Sequence, residues 1–256
     1  TKLFPSCMFE YQMNDKNTFN FTANRRIRRP DYSNLNPFRF YYTESSFSEG
    51  NPALQPSTSN KFQISYVYKG TYNISFMYNQ SRNYFDRLFF IDSAKGTSNI
   101  TRANIGRTYY YGAFVSGAFT PLKWWEINGD LNVGYNQFNP ETKDANRYTS
   151  IIFYGNANNA FYLNKSRTFV GELNGYYYTP RQNDYKLWKK IWAVNIGLRA
   201  VFYQKKLSVA IYGDDIFATS YWLQINQQNG TNEYSYDDER AIRISCTYKF
   251  GNQKVK

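Results

Sequence analysis

Apolar and polar residues alternate with a period of two along nearly the whole chain, the spacing of a strand that keeps one side away from water. The pattern is clearest over 192–202. There Trp192, Val194, Ile196, Leu198, Ala200 and Phe202 share one face, and Ala193, Asn195, Gly197, Arg199 and Val201 take the other. Over 125–136, Trp125, Ile127, Gly129, Leu131, Val133 and Tyr135 oppose Glu126, Asn128, Asp130, Asn132 and Asn136. Over 169–178, Phe169, Leu173 and Tyr177 oppose Glu172, Asn174 and Tyr176. The last such segment sets Ile242, Ile244, Cys246, Tyr248 and Phe250 against Arg243, Ser245, Thr247 and Lys249. With similar runs near 3–12, 17–26, 59–69, 71–84, 106–119, 148–162 and 206–214, the pattern predicts about eleven strands. A strand needs roughly 9–11 residues to cross a hydrocarbon layer at a tilt, and these are long enough.

The connections alternate between short and long. Short turns fall at Asn14-Asp15-Lys16, Lys69-Gly70-Thr71, Pro121-Leu122-Lys123, Asn164-Lys165-Ser166 and Gln204-Lys205. Long polar stretches lie at about 27–58, 86–105, 139–147, 180–188 and 215–239. Outer-membrane barrels show this asymmetry, with tight periplasmic turns and long extracellular loops, whereas soluble sandwiches have no reason to alternate so regularly. Aromatics gather at strand ends, at Tyr109-Tyr110-Tyr111, Trp124-Trp125, Tyr176-Tyr177-Tyr178 and Trp188 with Trp192. They read as interfacial girdles. The fold expected is all-β, a transmembrane antiparallel up-and-down β-barrel. Eleven strands closed on themselves would set two descending strands side by side, while single-chain bacterial barrels have even numbers. Eleven is half of the twenty-two of plugged outer-membrane transporters.

Composition narrows the chemistry. The 256 residues contain 26 Tyr, 21 Phe and 5 Trp, but no His and only 2 Cys. Without His there is no His-based triad and no usual metal site, and two Cys make neither a disulfide framework nor a four-thiolate zinc site. The expectation is a non-enzyme with no cofactor and no metal. No stretch approaches the roughly 18 apolar residues of a membrane helix. The net charge of +12 suits an anionic partner such as lipopolysaccharide or an acidic ligand. No compact basic patch or single-strand platform argues for nucleic acid. Asp214-Asp215 and Asp237-Asp238-Glu239 do not have EF-hand spacing and read as solvated loop charge. Cys7 and Cys246 share the apolar parity of their strands and are expected to face lipid. The opening Thr1-Lys2-Leu3-Phe4-Pro5 reads as a cut inside a longer protein.

One long stretch, residues 25–56, is rich in Pro, Asn and aromatics, with Pro30, Pro37 and Pro52 each restraining the backbone. Its Arg28-Arg29-Pro30, Tyr32, Leu35-Asn36-Pro37-Phe38, Tyr41 and Gly50-Asn51-Pro52-Leu54-Pro56 resemble the loop after a barrel strand in TonB-dependent receptors of the Bacteroidetes-type outer membrane protein beta-barrel family. Asp215-Ile216-Phe217 and the terminal strand from Arg240 to Gly251 are similar to that family's segments in the same order. The resemblance implies that residues 1–256 form the C-terminal portion of an outer-membrane receptor barrel for TonB-dependent ligand uptake. It implies as partners outer-membrane lipid and lipopolysaccharide, the plug and first barrel half of the receptor, the energy-coupling TonB complex reached through that plug, and an unknown nutrient ligand. Candidate ligand-binding residues are Arg28, Arg29, Tyr32, Asn36, Phe38, Tyr41 and Asn51; a structural loop packed on its neighbours is the other reading. Arg25, Arg26, Arg28 and Arg29 are open between lipopolysaccharide outside and acidic groups in the lumen. Two other functions use the same features: a passive porin or structural barrel, and a soluble β-sandwich that binds glycans.

Overall fold

The computed structural model describes residues 3–92, 94–183, 186–204, 206–226, 232–235 and 239–250. In chain order the elements are β1 (Ser6–Asn14), β2 (Asn17–Arg28), α1 (Tyr32–Leu35), β3 (Phe40–Thr43), β4 (Ser46–Ser48), β5 (Ser57–Tyr68), β6 (Tyr72–Asp92), β7 (Thr97–Leu122) and β8 (Trp125–Pro140). There follow β9 (Tyr148–Tyr162), β10 (Phe169–Tyr178), β11 (Arg181–Asn183), β12 (Lys186–Trp188), β13 (Ile191–Phe202), β14 (Leu207–Asp214), β15 (Trp222–Asn226), β16 (Asn232–Ser235) and β17 (Ala241–Tyr248). All eleven expected strands are present and pair antiparallel in the order β1-β2-β5-β6-β7-β8-β9-β10-β13-β14-β17. Tight turns close one end of this wall; at Lys69 and Gly70 both residues take left-handed backbone, with φ of 52° and 64°, as the two central residues of a turn that the Thr71 N–H closes on the Tyr68 carbonyl.

Register carries the apolar face across the wall without a break. Phe9 pairs Phe21, Phe21 pairs Ile64, Ile64 pairs Phe76, Phe76 pairs Ala113, and Ala113 pairs Val133. Farther on, Leu173 pairs Ile196, while Leu198 pairs Ile211 and Ile211 pairs Ile244. Most of these side chains are exposed rather than buried against a second layer. The opposite face is polar and bonded to itself: Arg199 Nε donates to Glu172 Oε1 at 3.1 Å, Tyr110 Oη to Asn132 Oδ1 at 3.0 Å, and Asn156 to Asp130. An exposed apolar face and a bonded polar one describe a wall between lipid and an aqueous lumen.

Two aromatic belts bound the apolar band. Near the tight turns stand Tyr72, Phe119, Trp124, Trp125 and Phe161, in contact as rings. Toward the long connections, Phe62, Tyr78, Tyr111 and Tyr135 stack in sequence around the wall. Trp125 and Tyr135 lie on the same face of β8; ten residues of strand tilted by about 45° give a band about 23 Å tall. Strand alternation refines the girdle expectation: of each aromatic triple, only Tyr111 and Tyr177 share the outer parity with Tyr109, while Tyr110, Tyr176 and Tyr178 fall on the inner face. Among the described residues the band carries one outward amide, Asn159, satisfied within the wall. Its Oδ1 accepts from Trp125 Nε1 at 3.0 Å and its Nδ2 donates to the Leu173 carbonyl at 2.9 Å. Cys7 and Cys246 are exposed free thiols on the two outermost strands.

Of the stretch 86–105, expected as a polar loop, residues 86–92 and 97–105 are strand. β6 has 21 residues and β7 has 26, about twice what the membrane requires, so their hairpin rises well above the outer belt. The other long connections are also partly ordered. β3 and β4 pair with each other, and β4 runs parallel to β7 from Ser46 opposite Ser98 to Ser48 opposite Ile100. β11, β12, β15 and β16, drawn from two different connections, form a separate four-stranded sheet.

Candidate functional site

The side chains that face away from the membrane gather at the end carrying the long connections. The tall β6–β7 hairpin organises this end. Its register breaks between Ser81 and Phe85, where Asn83 (φ 54°) and Gly106 (φ 151°) absorb the extra residues. A side chain at Gly106 would run into the backbone at Asn139 and Pro140. Past the bulge the hairpin packs like part of a soluble protein. Leu88, Ile105, Phe138, Ala145 and Tyr148 are buried together, with Tyr84 and Ala103 against them. Burial, helped by the neighbouring Asp86, raises the Tyr84 phenol above the usual tyrosine range, and its hydroxyl donates to Asp86 Oδ2 at 2.6 Å.

The connection from Arg29 to Pro56 lies against the hairpin and is held by amides. Asn51 Nδ2 donates to the Arg102 carbonyl at 3.0 Å, and Asn51 Oδ1 accepts from the Ala53 N–H at 2.9 Å. Gln55 and Asn104 bond reciprocally, at 2.8 and 2.9 Å. Asn36, just after α1, accepts the Phe38 N–H through its side chain at 3.1 Å and the Gly50 N–H through its carbonyl at 2.8 Å. Any Cβ at Gly50 would strike the Asn36 and Asn34 carbonyls, which accounts for a glycine there. Glu49 binds both Arg39 Nε (3.0 Å) and Asn99 Nδ2 (2.8 Å).

The seven candidate residues therefore separate. Asn36 and Asn51 are brought together as scaffold, bonded to backbone. Tyr32 and Phe38 are each 79 % exposed, and Tyr41, also exposed, touches the Phe47 ring at 5.4 Å. Arg28 lies over the fully buried Phe85 ring at 4.5 Å, and Arg29 is exposed. The parity of β2 divides its arginines: Arg25 shares the outer face with Phe21, and Arg26 and Arg28 continue the inner one.

Three features were not found from the sequence. Arg87 and Arg102 lie directly opposite each other across the upper hairpin. Arg181, half-buried, stands 5.3 Å from both the Trp188 and Trp222 rings and 5.7 Å from Tyr178; burial lowers its pKa. Beneath Trp222, the inner wall forms an open concavity of about 480 Å³ lined by the amides of Asn156, Asn158, Asn174 and Asn195 with Tyr176. Larger grooves of about 620 and 630 Å³ occur on the opposite, outward side among Val115, Leu131, Leu173, Phe76 and Val133. Their register places them between the aromatic belts, on the face turned toward acyl chains, whereas the smaller polar concavity opens on the inner face.

Asp215 departs from the solvated charge expected of it. It is 2 % exposed and accepts the Thr219 N–H at 2.9 Å and the Ser220 N–H at 3.0 Å. Ser220 links to Tyr176 at 2.7 Å and donates to Glu239 at 2.5 Å. The Asp215-Ile216-Phe217 motif is thus a latch that turns the chain out of β14. Asp214 pairs instead with Arg243. Asp237 and Asp238 lie outside the described residues. Among the described residues no group of three or more His, Cys, Asp or Glu is gathered to hold a metal ion.

Comparison with known proteins places this geometry. The model of the outer membrane protein beta-barrel family matches residues 1–248. The chain belongs to that family. Its place is the cell outer membrane. The siderophore receptor PirA from Pseudomonas aeruginosa superposes with a TM-score of 0.64 at 14 % identity, covering 96 % of this chain and 42 % of that one. The FrpB iron transporter from Neisseria meningitidis gives 0.63 at 12 %, covering 97 % and 39 %, and the copper transporter OprC 0.67 at 9 %, covering 96 % and 39 %. At these identities the likeness is one of fold, and the chain spans about two-fifths of each structure's length. No curated protein matches the sequence.

Proposed function

We propose that this chain is the C-terminal wall of a TonB-dependent receptor that takes up a nutrient ligand too large or too scarce for porins. The supporting observation is the pairing of two surfaces in one family member. A lipid-facing wall with a bonded polar interior carries, at its mouth, connections that are folded and anchored. A passive pore has little use for an ordered mouth, whereas a receptor needs one to recognise its ligand. In this reading the plug and first barrel half belong to the rest of the receptor, and the energy-coupling complex acts through the plug. The chain itself performs no covalent chemistry. Tyr32, Phe38 and Tyr41 offer exposed rings to the ligand, Arg28 and Arg29 offer charge, and Asn36 and Asn51 hold the loop in shape.

The test is growth of a receptor-deleted strain on its limiting nutrient. Full-length receptor should restore growth that collapses when the proton gradient is discharged, and residues 1–256 alone should not. Restoration that ignores the gradient would mean a passive pore.

A further inference from the structure

We propose that Arg28, Arg87 and Arg102 form an anion-binding site at the extracellular mouth, shaped for a solute carrying carboxylate or phosphate oxygens. This rests on the receptor reading above and adds the charge class of its ligand. Arg87 and Arg102 are register partners in the upper β6–β7 hairpin, and like charges directly across a ladder destabilise it unless something lies between them. Arg28 comes to the same place from β2, its guanidinium fixed on the buried Phe85 ring, a cation–π contact that orients a cation without neutralising it.

Five of the other arginines show what this trio lacks. Arg39, Arg107, Arg167, Arg199 and Arg243 each have a carboxylate within ion-pair distance. Among the described residues Arg28, Arg87 and Arg102 have none. Two carboxylates are nearby, Asp31 and Asp86, and both act on Arg102 from a distance. Asp86 neighbours Arg87 along the strand and so projects from the other face; it is occupied by the Tyr84 hydroxyl and by the Arg87 N–H at 2.8 Å. Asp31 precedes α1 without capping it. Burial first, then the charges of Arg87 and Arg28, lowers the pKa of Arg102, the direction expected where positive charge crowds without a counterion.

The backbone here is set in advance. The Arg102 carbonyl is held by Asn51 and the neighbouring Asn104 by Gln55, so the loop bearing the candidate residues and the hairpin bearing the arginines form one body. Three guanidiniums on a prearranged frame suit a ligand with several oxygens, because each fork takes two. Of the three, Arg28 stands on the wall itself, with the inner parity of β2.

The experiment uses full-length receptor purified in detergent. Phosphate and citrate are titrated calorimetrically against chloride at matched ionic strength, and the lipopolysaccharide carried through purification is measured on the same samples. Saturable binding of phosphate or citrate is expected. Arg87→Gln and Arg102→Gln should each weaken it by about tenfold or more, while Arg107→Gln, whose partner is Glu141, leaves it unchanged. Heat-modifiable gel mobility confirms that every variant is folded. Absence of saturable binding, or equal binding by the Arg102→Gln protein, overturns the site. Loss of bound lipopolysaccharide with no soluble-anion binding likewise overturns the assignment to a solute. Binding in detergent needs no energy coupling, so either result leaves the uptake reading to its own test.

Discussion

The wall and the mouth solve opposite problems with the same residue types. Between the aromatic belts, Ile64, Phe76, Leu173 and Leu198 point outward and are exposed, while Asn, Ser and charged groups bond to one another inside. Above the belts, Phe85, Ile105 and Phe138 are wholly buried and the amides of Asn51, Asn104 and Gln55 tie down the surface. Hydrocarbon surrounds the first region and water the second, and each side chain follows its solvent. The change occurs within single strands. β6 begins as membrane wall and ends in the folded extracellular hairpin, β7 runs the reverse course, and the bulge at Asn83 and Gly106 marks the crossing.

The largest expected effect tests the mouth. Phe138→Ala should cost about 3–5 kcal/mol, read by urea titration of the full-length protein folded into lipid vesicles. Truncating lipid-facing Leu131 should cost far less, because lipid tails replace the lost contacts. Equal costs would erase the contrast between the two regions.

Next comes the sidedness of the wall. Leu173→Arg should cost about 2–4 kcal/mol, since Leu173 is 42 % exposed within the band. Its neighbour Asn174 faces the inner concavity and makes one bond, to the Asn159 N–H at 3.2 Å; Asn174→Arg should cost about 1 kcal/mol. The reverse order in the same vesicle assay would turn the wall inside out.

A smaller effect belongs to the outward amide. Trp125→Phe removes the donor to Asn159 Oδ1 and should cost about 1–3 kcal/mol, the penalty of an acceptor left unmade. Trp125→Phe combined with Asn159→Leu should recover most of it. The smallest expected signal is none at all: oxidative crosslinking of the full-length protein should yield no Cys7–Cys246 disulfide, because the two thiols lie at opposite ends of the eleven-strand path.

How legible each region was follows from the same contrast. The wall could be read strand by strand because lipid enforces strict alternation, so residues such as Trp192 and Leu198 announce their face. Leu88 and Ile105 lie in a stretch that composition marks as loop, and only the register of the long hairpin buries them. The candidate residues were legible as a motif but not as roles. Asn36 and Asn51 are scaffold, which depends on contacts with Gly50 and Arg102 that local sequence does not encode. The Arg87–Arg102 juxtaposition was invisible for the same reason, since it exists only in a register reset by a bulge.

The small sheet of β11, β12, β15 and β16 has a mechanical consequence. Lys186, Leu187 and Trp188 of one connection are laddered to Asn226, Ile225 and Gln224 of the other, and the Trp188 and Trp222 rings meet edge to face at 5.5 Å. The two connections are rooted on different strands, one between β10 and β13 and the other between β14 and β17. Neither can swing alone without breaking that ladder. This side of the mouth behaves as a single panel on two pairs of stalks, and a tug on either root is felt above the Asn-lined concavity beneath Trp222.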